Sequence, residues 1–138
     1  MHPKEWKDKW RTPEIEHGVM TKYNFLVHYP ERLELGKYID ISQFVYLQAR
    51  GGITIEDDVE IGPFSCLLSE STIDSKLGKI VLKEGCCIGT HSTIMPNVTI
   101  GKNSIVGAYS FVNKDIPDNV LAYGVPCKVI KLLGDKNE

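Results

Sequence analysis

Nothing in this sequence reaches the roughly 18 consecutive apolar residues that a membrane span requires. The opening stretch, MHPKEWKDKW, is charged and aromatic and holds no apolar signal-peptide segment. An excess of one charge is also missing. Sixteen Lys and Arg stand against 18 Asp and Glu, for a net charge of −2. That balance offers no basic face for nucleic acid and no polybasic patch for a membrane. A cytoplasmic protein is expected, with neither nucleic acid nor membrane as a partner. Cysteine is sparse and poorly spaced for chemistry. Cys66, Cys86, Cys87 and Cys127 form no C-x-x-C pair, and adjacent Cys86 and Cys87 suit neither zinc nor a disulfide. Reduced packing thiols are the expectation, and no metal is expected. Helical periodicity is lacking too, because apolar residues do not recur at three- and four-residue steps.

What is present is a six-residue period in a chain of 138 residues, a length that suits one domain. Aliphatic residues recur at Leu82, Ile88, Ile94, Ile100, Val106 and Val112. An earlier block runs Ile55, Ile61, Leu67, and a looser one Leu35, Ile41, Leu47, Ile53. The blocks slip in phase at Gly51-Gly52 and in a loop near 68–80. Glycine follows the aliphatic residue at Gly36, Gly62, Gly89, Gly101 and Gly107. A small or β-branched residue lies four after it, at Val59, Ser65, Cys86, Ser92, Val98, Ser104 and Ser110.

Six residues suit a short strand and a tight bend. The aliphatic residue and the small residue two before it then point to the same side. Glycine tolerates the bend. Three such units make one triangular coil, and stacked coils cover one another's aliphatic faces. The predicted fold is all-β, a single-stranded left-handed parallel β-helix of hexapeptide repeats. Residues 1–32 form an N-terminal cap, with Trp6 and Trp10 on one face of a short helix. Residues 33–119 form the β-helix with its loop at 68–80, and residues 120–138 a C-terminal segment whose last few positions fray.

The repeats, together with the segments IGTHSTIMPNVTIG (88–101), VGAYSFVNKDIPDN (106–119) and YGVPCKVIK (123–131), resemble the hexapeptide acyltransferases of the galactoside and maltose O-acetyltransferase type. The likeness covers residues 50–131 well and 33–49 loosely. It implies a homotrimer with acetyl-CoA held between neighbouring prisms as co-substrate. It also implies cofactor-binding roles. Thr90 lies along the pantetheine arm, and Ala108 is the small residue whose backbone meets that arm. Asn113 and Lys114 contact CoA further along, and Lys128 and Lys131 face its phosphates, where lysine serves as a flexible point charge.

The sequence departs from this pattern on the acceptor side. The family's general base is a histidine on the loop, but LLSESTIDSKLGKIVL (67–82) has none, and the position falls near Thr72. Where the relatives hold their sugar with Asp and Asn, this chain has Arg50 and roughly Ser42, which become the candidate substrate-binding residues. Of the four histidines, His2 and His17 are read as surface residues, and His28 precedes the first coil and could approach a neighbour's groove. His91 alone lies inside a regular repeat, pointing outward beside Thr90. His91 is the first catalytic candidate, since imidazole suits base work near neutral pH. Glu70 is the second.

A third route needs no protein base. A neutral amine attacks a thioester unaided if it is held in place and backbone N–H groups stabilise the oxyanion. The preferred function is therefore acetyl transfer to a sugar acceptor, with the amine of a nucleotide-linked amino sugar ahead of a hydroxyl taken by His91. Surface glycan synthesis is the expected setting. Two other classes compete. A γ-carbonic-anhydrase-like zinc enzyme would need three histidines at an interface, and the repeats hold one. A non-catalytic β-helix scaffold is the other.

Overall fold

The computed structural model describes residues 2–134. Short strands of two or three residues alternate with tight turns and wind into a parallel β-helix with three faces. The first face stacks Leu26–His28, Tyr46–Gln48, Cys66–Leu68, Thr93–Ile94 and Phe111–Val112. The second stacks Leu33–Leu35, Ile53–Ile55, Ile80–Leu82 and Thr99–Ile100, extended by a bridge from Ile100 to Ile116. The third stacks Asp40–Ile41, Glu60–Ile61, Cys87–Ile88, Ile105–Val106 and Val120–Gly124.

The register turns the six-residue period into vertical files. Val27, Leu47, Leu67, Ile94 and Val112 lie one above the next on the first face. Ile41, Ile61, Ile88, Val106 and Ala122 do so on the third. All of these side chains are buried, so the core is a column of aliphatic layers running the length of the solenoid.

The small residues of the repeat point inward with them. Ser65, Ser92 and Ser110 are buried and form a ladder. The Ser65 hydroxyl donates to the Gly89 carbonyl at 3.0 Å and accepts from the Ser92 N–H at 3.2 Å. The Ser92 hydroxyl does the same one coil on, with Gly107 and Ser110. A buried hydroxyl needs such partners, and the turn carbonyls supply them; that of Gly107 also accepts from the Ser110 hydroxyl at 2.7 Å.

Glycine after the aliphatic residue has a steric cause. A Cβ on Gly89 would lie 2.6 Å from the Ala108 backbone nitrogen, and one on Gly62 would lie 2.6 Å from that of Thr90. The next coil's backbone occupies the space. Two residues further on, the chain turns through the left-handed region at Phe44, Phe64, His91 and Tyr109. These side chains stack in a column, with ring centroids 5.3, 4.9 and 4.7 Å apart in succession.

The ends differ from a bare solenoid. Parallel pairing begins at Leu26–His28, ahead of the residue 33 at which the repeat becomes visible in sequence. No glycine or flanking hexapeptide marks that strand, so periodicity could not reveal it. Helix α1, Lys4–Lys9, lies over the first coil. Trp10, its C-cap residue, donates from Nε1 to the Ile39 carbonyl at 2.8 Å and packs on the core's open end. Trp6 stacks on His2 at 3.9 Å. His2, expected as a surface residue, is half-buried, with Nε2 2.9 Å from an Asp40 carboxylate oxygen and 3.2 Å from one of Glu60. At the other end Cys127–Leu132 folds back antiparallel on Val120–Gly124 and covers that strand's edge. Residues 135–138, expected to fray, lie outside the described residues. In the loop, Glu70–Ser71 and Lys76–Leu77 pair as an antiparallel hairpin that projects from the coil.

Candidate functional site

The third face and the corner after it form a shallow groove of about 340 Å³. Ser42, Gly62, Gly89, Gly107 and Ala108 line it. Close packing of coil on coil at these glycines leaves backbone at the surface of the corner, while the outward side chains Asp40, Glu60, Cys87 and Ile105 line the rest of the groove. Ala108 adds only a methyl, which is exposed. Ser42 thus shares a groove with Ala108, a cofactor-side candidate.

Thr90 sits at the same corner. Its hydroxyl donates to the Pro63 carbonyl at 2.7 Å and lies 2.8 Å from His91 Nδ1. With the hydroxyl proton committed to Pro63, the oxygen accepts from His91 Nδ1–H, which leaves Nε2 of a neutral ring as the acceptor atom. The ring is exposed and held between Phe64 and Tyr109. Asn113, Lys114, Lys128 and Lys131 are all exposed, and the three lysines carry no ion pair among the described residues.

The remaining candidates gather on the outward side of the first face. Arg50 and Glu70 form an ion pair with each other. Arg32 donates to the Arg50 carbonyl at 2.5 Å, which brings a second guanidinium to this corner. Gly51 follows, and its N–H donates to the Ser69 hydroxyl at 2.8 Å.

A chain of contacts leads from Arg50 to two residues that sequence reasoning did not single out. The Arg50 N–H donates to Gln48 Oε1 at 3.1 Å, and Gln48 Nε2 donates to the Tyr46 hydroxyl at 3.3 Å. That hydroxyl lies 2.5 Å from His28 Nδ1. Burial pushes the Tyr46 phenol above its usual range, against a smaller opposing effect of Gln48, so it stays protonated at neutral pH. The signal was present in the sequence as residues 46 and 48, alternate outward positions of one strand. It needed the neighbouring strand's register to place His28 beside them. The one grouping of metal-capable side chains among the described residues, His2, Asp40 and Glu60, lies on the third face.

Comparison with known proteins agrees with this geometry. The family model "Bacterial transferase hexapeptide (six repeats)" matches residues 79–114. The galactoside O-acetyltransferase of Escherichia coli K12 is 41% identical over 95 residues, which are 62% of this chain and 47% of that protein. A hexapeptide-repeat acetyltransferase from Vibrio cholerae O1 biovar eltor, solved in complex with acetyl-CoA, superposes with a TM-score of 0.76 at 30% identity. The match covers 80% of this chain and 66% of the other. A galactoside acetyltransferase solved with coenzyme A gives 0.69 at 31% identity, covering 82% and 61%. The chain spans about half the length of its curated E. coli relative. By its repeats and its fold, this chain is a hexapeptide-repeat β-helix protein similar to the hexapeptide-repeat acetyltransferases.

Proposed function

We propose that this protein transfers an acetyl group from acetyl-CoA to a small sugar acceptor, acting in the cytoplasm as a homotrimer. The corner of the groove at Gly62, Gly89 and Ala108 carries the reading, because there the packed coils offer bare backbone and one methyl to an extended arm. Thr90 and Ala108 would lie along pantetheine, with Asn113 and Lys114 beyond them. Lys128 and Lys131, exposed and without ion pairs among the described residues, are available to the phosphates of CoA. The exposed column Phe44, Phe64, His91 and Tyr109 supports assembly, since such apolar surface is commonly covered by a second copy.

For the acceptor, the reading is the amine of a nucleotide-linked amino sugar in surface glycan synthesis. Its support is Arg50, beside Gly51 and Gly52, with the Arg32 guanidinium on the Arg50 backbone carbonyl; guanidiniums suit a diphosphate or carboxylate. Glu70 competes for Arg50 and would be displaced by such an anion or steer it. The second reading is O-acetylation with His91 as base. It is favoured by the hydrogen bond from Nδ1 to Thr90, which fixes the tautomer a base needs.

Thiol release from acetyl-CoA tests both. Nucleotide-linked amino sugars should be acetylated in preference to galactosides or maltose. Reversed preference, with the loss of activity in His91→Ala, would establish the second reading. Absence of turnover on every amine and hydroxyl acceptor would leave the scaffold hypothesis.

A further inference from the structure

We propose that His28 and Tyr46 form the proton-accepting pair of the acetyl transfer. The inference rests on the acetyltransferase reading above and assigns the base that the loop lacks. Tyr46 Oη accepts a hydrogen bond from Gln48 Nε2–H at 3.3 Å, and its own proton lies in the 2.5 Å contact with His28 Nδ1. One lone pair of the phenol oxygen is left for a third partner. His28 Nε2 faces the backbone of Gly18, where an added Cβ would stand 3.4 Å away, so the ring cannot turn that edge to the acceptor. The ring is fixed for one task, to take a proton from Tyr46.

The step balances as a relay. The acceptor's nitrogen or oxygen bonds to the thioester carbonyl carbon while its proton passes to Tyr46 Oη. The phenol proton passes to His28 Nδ1, leaving an imidazolium. When the tetrahedral intermediate collapses, the C–S bond breaks, and the proton returns through Tyr46 to the CoA sulfur as thiol. The phenol never has to stand as a free phenolate, which its burial opposes.

The groups facing the pair complete the case. The His17 ring lies 4.9 Å from that of His28 and is turned to the Tyr29 N–H, which donates to its Nδ1 at 2.8 Å. Cys66, Glu70 and Tyr29 are the other titratable groups near the Tyr46 hydroxyl, and Glu70 is held by Arg50. Through Gln48 the pair is joined to Arg50, the residue assigned to the acceptor, whereas His91 stands in the aromatic column at the groove corner.

The test uses the full chain with acetyl-CoA, and a nucleoside-diphosphate-linked amino sugar and a galactoside as acceptor probes. His28→Gln and Tyr46→Phe should each lower kcat by about a hundredfold or more, the usual range for a lost general base. The dissociation constant for acetyl-CoA should stay within about twofold, which shows that the variants fold. The loss should fall on kcat, with KM for the acceptor within about twofold, in His28→Gln and should be absent in His91→Ala. Unchanged kcat in both variants, with normal acetyl-CoA binding, would overturn the pair and leave the acetyltransferase reading intact. Failure of the wild-type protein to bind acetyl-CoA, or to release thiol with either probe, would overturn both.

Discussion

At the scale of single residues, the repeat is written by what the next coil forbids. Gly89 is glycine because the Ala108 backbone nitrogen takes the place of a side chain. Gly89→Ala would have to push two coils apart, and overpacking of this kind costs about 1–3 kcal/mol. Urea denaturation should show that loss, with the denaturation slope unchanged. The left-handed turn residues give the opposite expectation. Phe64 adopts φ 63°, a region disfavoured by about 1–2 kcal/mol for a bulky residue. It is held by stacking between Phe44 and His91, and an aromatic pair contributes about 0.5–1.5 kcal/mol. The two effects nearly cancel. Phe64→Asn, which relieves the backbone and removes the stack, should therefore shift stability by less than about 1 kcal/mol in the same assay. A loss of several kcal/mol would mean that the column holds the fold, not just its surface.

At the scale of elements, the edges decide whether the solenoid stays soluble. Cys127–Leu132 covers the last parallel strand. A chain truncated after Pro126 would expose the edge of Val120–Gly124 and should aggregate at concentrations where the full chain stays clear, as read by light scattering. The coils between Leu82 and Val112 were the most legible part of the sequence, because each hexapeptide carries an aliphatic residue, and most of them a glycine and an inward serine or valine. The first strand, Leu26–His28, was not legible, since only its pairing with Tyr46–Gln48 marks it. The same distinction explains the site. Ala108 and Thr90 could be found by motif, because the turn that presents them is part of the repeat. Tyr46 and Gln48 could not, because outward strand positions are free to vary and their meaning comes from the strand beside them. Ser42 and Arg50 were paired in sequence as acceptor residues, yet one lines the groove on the third face and the other stands with Glu70. A linear alignment does not say which way each corner faces.

At the scale of the whole molecule, a 15.5 kDa chain displays a groove with bare backbone at its glycine corner, an Arg50–Glu70 pair and an aromatic column on one prism. The proposed homotrimer should appear in light scattering after size exclusion at about three times that mass. A monomer at working concentration would leave the groove without its second wall. The central claim is that this groove takes the pantetheine arm of acetyl-CoA against the bare backbone at Ala108, and calorimetric titration tests it most directly. The wild-type chain should bind acetyl-CoA with one site per chain, and Ala108→Trp, whose side chain points outward and leaves the core untouched, should lose that binding while melting at the same temperature. A wild-type chain that gives no binding heat and no thermal shift with acetyl-CoA, or an Ala108→Trp chain that binds as well as wild type, would contradict it.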